Sequence, residues 1–173
     1  MHTTAPALQL DKFEVLRLLI DWRPPTVPVV DVDQLKCDFS YDVATHKQEP
    51  RRYRMILDFK MEEVGKQQAG TGYAIEARLE GQFTFDESFE EAKRPIAVRI
   101  SGLNMLYGSL RGVLAGITGT FPGGSITLPS IKPQAVVEDV EKRKLAQNAK
   151  PAVPTLKARS KSRGLKGAKA QPG

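Results

Sequence analysis

The chain reads as an α+β domain: a four-stranded antiparallel sheet with one face packed on a long helix, followed by a second, C-terminal helix. Three observations predict it. Residues 35–43, 53–61 and 73–85 alternate apolar with polar side chains, the period of a strand buried on one face and wetted on the other. Residues 103–117 then change to helical spacing, with Leu103, Leu106, Tyr107, Leu110, Val113, Leu114 and Ile117 on one stripe. Strands come first and helices after them, the order of segregated α+β packing.

The elements follow in turn. Residues 9–22, QLDKFEVLRLLIDW, form an apolar, strand-tolerant run that RPPTVP ends. Its apolar residues fall on both parities, which predicts a strand covered on both faces. The second strand sets Leu35, Cys37, Phe39, Tyr41 and Val43 against Lys36, Asp38, Ser40 and Asp42. The third carries Tyr53, Met55, Leu57, Phe59 and Met61 on its apolar side, with Ile56 breaking the polar one. The fourth is the longest alternation: Tyr73, Ile75, Ala77, Leu79, Gly81, Phe83 and Phe85 against Glu76, Arg78, Glu80, Gln82 and Thr84. GKQQAGTG at 65–72 is the turn between the last two strands. ESFEEAKRP starts as a helix would, but Pro95 is expected to interrupt it, and IAVRISG is ambiguous between helix and strand. The C-terminal helix spans 133–149, with Pro133 near its start and a modest stripe of Val136, Val137 and Val140.

The long helix contains a puzzle. Gly108, Gly112 and Gly116 recur at four-residue steps inside it, and each costs roughly 0.5–1 kcal/mol relative to alanine. Something must offset that cost. A close contact with another helix, where small residues let two backbones approach, is one reading; a soft helix on a curved surface is the other.

Composition bounds the function. The chain has 173 residues, 40% of them hydrophobic, and a formal net charge of +6. From Lys150 onward all seven charges are basic (Lys150, Lys157, Arg159, Lys161, Arg163, Lys166 and Lys169), which leaves the first 149 residues nearly neutral. One folded domain at 1–149 and a disordered basic tail at 150–173 are expected. Residues 112–131 carry no charge over the length of a membrane helix, but Gly119, Pro122, Gly123, Gly124 and Pro129 break them. No membrane insertion and no secretory signal are read, which favours a cytoplasmic protein. The single cysteine, Cys37, permits no intrachain disulfide and no cysteine-based metal cluster.

No catalytic machinery is visible. The two histidines are His2, near the terminus, and His46, in a polar loop. No phosphate loop, zinc motif or serine elbow is present, so neither an enzyme nor a cofactor is expected. Cys37 lies on the apolar parity of its strand, as a buried inert thiol would. Asp86, Glu87, Glu90 and Glu91 are better read as a solvated helix start than as a metal site. Trp22, at a strand end, reads as core.

Asn104, Leu106, Tyr107 and Arg111 on the long helix, then Gly119, Thr120, Phe121 and Pro122 at its end and Ile126, Leu128 and Pro129 beyond, carry a resemblance to the SecB family of tetrameric export chaperones over roughly residues 10–140. The long helix of that family opens with asparagine, an aliphatic residue, leucine and an aromatic, and carries an arginine further on. Asn104, Leu106, Tyr107 and Arg111 stand in those places. Its helix ends in a Gly-Thr-Phe-Pro turn, matched by Gly119, Thr120, Phe121 and Pro122, then an apolar stretch, matched by Ile126 and Leu128, and a proline, Pro129. RPPTVPVVDVDQLKCDF resembles the family's proline-bearing crossover between the first two strands.

The resemblance implies an ATP-independent holding chaperone for unfolded or nascent polypeptides, assembled as a homotetramer, a dimer of dimers. Helices would pack across the subunit interface at Gly108, Gly112 and Gly116. The client groove would be lined by Val29 and Val30 of the crossover, by Phe121, Ile126 and Leu128 after the helix, and by Val136 and Val137. Two departures put docking on the translocation ATPase SecA in question. Glu76 occupies one of the family's SecA-facing positions, but Leu19 and Arg23 stand where the first strand would offer the others, and the acidic C-terminus is replaced by the basic tail. SecB-like proteins that guard a single antitoxin supply a second reading. A third is contact of the tail with RNA or the ribosome, non-specific because no aromatic residue is present there to stack on bases.

Overall fold

The computed structural model describes residues 7–24, 36–62 and 72–148. Val29, Val30, most of the crossover and the basic tail lie outside the described residues. Four strands, β1 (Leu8–Trp22), β2 (Lys36–Thr45), β3 (Arg52–Glu62) and β4 (Tyr73–Phe85), form one antiparallel sheet in the order β1-β4-β3-β2. The β2–β3 ladder runs without interruption from Lys36 opposite Glu62 to Thr45 opposite Tyr53. The alternation seen in the sequence sorts the two faces. Tyr53, Met55, Leu57, Phe59 and Met61 of β3 are all buried, as are Tyr73, Ile75, Ala77, Leu79, Phe83 and Phe85 of β4.

β1 departs from expectation. It is an edge strand, and only one of its faces meets the core. The reason lies in two irregularities in its pairing with β4, between Leu10 and Lys12 and between Val15 and Arg17. Asp11 and Leu16 are the extra residues, and each bulge reverses the parity of the residues after it. Leu8 and Leu10, then Phe13 and Val15, then Leu18, Ile20 and Trp22 therefore all lie opposite inward-facing residues of β4. Apolar residues on both parities here signify bulges and not two covered faces. Leu16 and Leu19 are left 48% exposed.

Pro95 does not interrupt the helical segment but begins it. A short 3₁₀ turn at Glu91–Lys93 leads into α1 (Arg94–Ala97), with the proline in the first turn, where its missing N–H needs no partner. A π turn at Val98–Gly102 follows, then α2 (Leu103–Thr118). The ambiguous IAVRISG is thus helical throughout. Arg94 is buried and donates from Nε and Nη2 to the Phe89 carbonyl at 3.2 and 3.0 Å, which ties the entry loop to the helix. α3 (Pro133–Asn148) lies beside β2. Its apolar contact is thin: Val137 and Val140 are buried and Val136 half-buried, while Leu145 is 70% exposed.

α2 buries Leu103, Leu106, Tyr107, Leu110, Leu114 and Thr118 against the sheet. Its seat is Gly81, at the middle of β4. A Cβ built at Gly81 would stand 2.7 Å from Leu106 Cδ2 and 2.7 Å from the Phe83 ring. The bare backbone there admits the leucine. Gly108, Gly112 and Gly116 differ: among the described residues a Cβ at any of them would meet nothing within 4 Å. Nothing in the described residues requires those three to be glycine.

Gly81→Val should therefore lower stability by about 1–3 kcal/mol through overpacking, read as a fall in the urea midpoint with the slope unchanged. An unaltered midpoint would show that the Leu106 contact yields freely.

Candidate functional site

The segment that follows α2 is held back onto the core by hydroxyl groups. Thr118, fully buried, donates to the Leu114 carbonyl at 2.6 Å and accepts the Ile126 N–H at 2.8 Å. Ser125 donates to the Ala115 carbonyl at 2.9 Å, Tyr73 to the Gly124 carbonyl at 2.6 Å and Tyr107 to the Pro129 carbonyl at 2.7 Å. Gly124 takes a positive φ of 76°, a turn conformation open to glycine at little cost. Gly123 lies so close to the Trp22 indole that a Cβ would fall 2.1 Å from Nε1. The turn thus rests on the end of β1, with Phe121 tilted against Tyr73 at 6.1 Å between ring centres.

These clips decide where the sequence-derived groove residues stand. Ile126, Leu128 and Val137 are buried in the core of this chain. Phe121 and Val136 are half-buried against it. In the helix motif, Leu106 and Tyr107 face the core, Asn104 is exposed and Arg111 is half-exposed. Tyr107 acts twice, by the bond to Pro129 and by packing edge-on to Phe39 at 5.5 Å.

Apolar surface appears elsewhere, along β1 and the helix entry. On the inward face of β1, Leu10, Phe13, Leu18, Ile20 and Trp22 are only half-buried and Val15 is exposed, and Ile96 is exposed at the helix entry. Leu16 and Leu19 of β1 and Ile117, at the end of α2, are exposed elsewhere. The signal for the β1 surface is the two-parity pattern of that strand, which names the residues but not their face.

The outer face of the sheet carries paired charges, with the exposed Leu19 of β1 opposite Glu76. Glu76 lies between Arg17 at 3.7 Å and Lys60 at 3.6 Å, and Asp58 meets Arg78 at 3.7 Å. Glu80 accepts from Arg54, which holds its carboxyl below the usual carboxylate range. A groove of about 300 Å³ on this face is lined by Arg17, Asp38, Asp58, Lys60, Glu76 and Arg78 among others. A basic partner would find cations already beside these carboxylates.

The acidic cluster after β4 is occupied in local structure. Asp86 accepts from the Ser88 N–H and hydroxyl at 2.9 and 2.6 Å, Glu87 pairs with Arg51 at 2.8 Å, and Glu90 pairs with Lys93 at 2.6 Å. Hydrogen bonds from Ser88 hold the Asp86 carboxyl low. Among the described residues no three metal-ligating side chains converge, and no helix is long and apolar enough to cross a membrane.

No protein-family model matches the chain, and no curated protein does. Among solved structures, it is similar to a Mycobacterium tuberculosis SecB-like chaperone in complex with a ChAD peptide from the HigA1 antitoxin. The TM-score is 0.50 at 14% identity, over 72% of this chain and 91% of that one. The fold is SecB-like. A protein of unknown function from Streptococcus agalactiae also matches, with a TM-score of 0.41 and 9% identity over 71% of this chain and 97% of that one. The SecB-like arrangement accounts for the order seen here: four antiparallel strands, a long helix seated on their inner face, a clipped turn and a second helix.

Burial pushes the Cys37 thiol up to about 11, so at neutral pH it is protonated and a poor nucleophile. Alkylation by iodoacetamide at pH 7.5 should run roughly a hundredfold slower than for a cysteine of ordinary pKa, and should quicken to the ordinary rate in urea. Fast labelling of the folded protein would contradict the burial.

Proposed function

We propose that the chain is an ATP-independent holding chaperone that binds unfolded or nascent polypeptides and releases them by partition. The observation that carries the reading is the SecB-like fold, joined to a half-buried apolar row on the inward face of β1. Broad apolar contact of that kind suits extended chains of varied sequence, and a shaped polar pocket does not. The domain is residues 1–149, and non-specific contact of the basic tail at 150–173 with RNA or the ribosome is a third, separate reading. The site of action is the cytoplasm.

A specialist role, guarding one aggregation-prone partner such as an antitoxin, is the second reading. Two observations favour it over general export. The structural neighbour holds an antitoxin peptide, and the Glu76 carboxylate has cations on both sides. Assembly as a dimer of dimers belongs to either reading. Among the described residues nothing approaches Gly108, Gly112 or Gly116, which supports a contact of these positions with another subunit's helix as what offsets their helix cost.

The holding activity is tested with a slow-refolding protein diluted from denaturant. A stoichiometric amount of this chain, without ATP, should suppress the rise in turbidity; no suppression by the folded protein rejects the activity. Pull-down from lysate then separates the readings, many unfolded clients marking a generalist and one stoichiometric partner a specialist.

Assembly is tested by light scattering on wild type and Gly112→Leu. The wild type should be oligomeric and the variant smaller, because overpacking of about 1–3 kcal/mol is repeated by symmetry. Unchanged mass in the variant would show that the glycines lie outside the contact, in which case Gly112→Ala should simply stabilise the helix by about 0.5–1 kcal/mol.

A further inference from the structure

The outer face of the sheet carries a second groove, of about 980 Å³, at the end away from Glu76. Two rungs of the ladder make its floor. Gln9, Thr84 and Arg52 stand abreast on β1, β4 and β3, and Gln82, Arg54 and Ala44 on β4, β3 and β2. The β2–β3 turn borders it with His46, Lys47 and Gln48, as does Asp11, the extra residue of the first β1 bulge. A volume in this range holds a small organic molecule.

The turn is fixed in place. The His46 N–H donates to the Arg52 carbonyl and the Arg52 N–H to the Glu49 carbonyl, both at 2.9 Å. His46 Nδ1 accepts the Glu49 N–H at 3.2 Å, so the neutral ring carries its proton on Nε2 and is a donor at its other nitrogen. Each carboxylate nearby is already engaged. Asp11 accepts from the Thr84 hydroxyl at 2.5 Å, and Glu49 meets Arg52 Nε at 2.7 Å. Glu80 accepts from Arg54 Nη2 at 2.5 Å and from Gln82 at 3.4 Å.

Donors are left over. A guanidinium has five N–H groups, and one carboxylate takes about two of them, so Arg52 and Arg54 both keep spare donors. Lys47, Gln48 and Gln9 make no side-chain hydrogen bond or ion pair among the described residues.

These properties name the class of molecule that fits. Spare donors call for an acceptor-rich oxyanion, which a guanidinium fork matches bidentately. The charge is modest: Lys47, Arg52 and Arg54 against Asp11 in the lining, with Glu49 and Glu80 beside the two arginines. Such a balance suits one negative charge and gives a polyanion no excess of cations to neutralise. Tyr53 and Phe83 belong to the buried core, so neither ring is offered for stacking on a base. The amides of Gln9, Gln48 and Gln82 suit hydroxyl groups, to which they can donate and from which they can accept.

We infer that this groove binds a sugar acid, a polyhydroxylated molecule with one carboxylate. The carboxylate lies at Lys47, Arg52 and Arg54, and the hydroxyls meet the three glutamine amides. The Arg52–Glu49 pair, exposed on both sides, is weak enough to share its guanidinium with a ligand. The site is independent of the holding activity and of the apolar row on β1.

The test is a ligand-observed NMR titration of the full chain with gluconate, and with acetate and sorbitol, which keep only the carboxylate or only the hydroxyls. Gluconate should bind with a Kd of about 1 mM, and the other two roughly tenfold more weakly. Lys47→Ala with Arg52→Ala should weaken gluconate roughly tenfold, while Lys93→Ala, a cation at the helix entry, should leave it unchanged. Circular dichroism checks the fold, and Lys47→Ala alone serves if the double variant unfolds. No gluconate binding, equal binding of acetate or sorbitol, or full binding by the folded groove variants overturns the site. An equal loss with Lys93→Ala marks a diffuse field effect and overturns it too. Tighter binding of the dianion glucose 6-phosphate than of gluconate overturns the assignment to a singly charged acid.

Discussion

The seating of α2 on the bare backbone of Gly81 is the contact on which the rest of the arrangement depends. β4 is paired on both sides, to β1 and to β3, along most of its length. Its midpoint is the place where a helix can approach the sheet. Leu106 enters there, and the turns that follow it bring Leu110, Leu114 and Thr118 down in order. Thr118 then anchors the returning loop through Ile126, and the loop delivers α3 to the β2 edge. A side chain at Gly81 would press on Leu106 and the Phe83 ring, the contact through which the helix meets the sheet.

Charge is arranged to leave no net field on the outer sheet face. Pairs such as Asp58 with Arg78 and Glu76 with Arg17 and Lys60 are exposed and add little stability each. Their effect is on association: a face of alternating signs attracts neither a strongly basic nor a strongly acidic partner. The same residue types act differently at β2, where Asp38 and Arg143 bind backbone groups.

Much of the fold can be read from periodicity. β2, β3 and β4 each bury one face and alternate cleanly, so the side chains declare their direction. α2 and α3 stand out for the same reason, at the other period. Three features escape. The face of β1 depends on where Asp11 and Leu16 bulge, and a bulge is set by pairing with β4, which no local pattern encodes. Pro95 reads as a breaker until its place in the first turn is known. The burial of Ile126 and Leu128 goes with hydroxyl clips at Thr118, Tyr107 and Tyr73, bonds that no local pattern encodes. The groove residues that the resemblance implies include three that are buried in this chain, because core and groove share one composition.

The bulges of β1 also bear on length. Remove Leu16 and Val15, Arg17 and Leu18 fall into ordinary in–out–in alternation; remove Asp11 and the same holds for Leu10, Lys12 and Phe13. At these two positions the strand can lose a residue and keep every other side chain on its present face. Loss of a residue at a regularly paired position such as Phe13 or Ile20 would turn one end of the strand inside out. β1 thus carries two joints at which evolution can shorten an edge strand without rewriting the core beneath it.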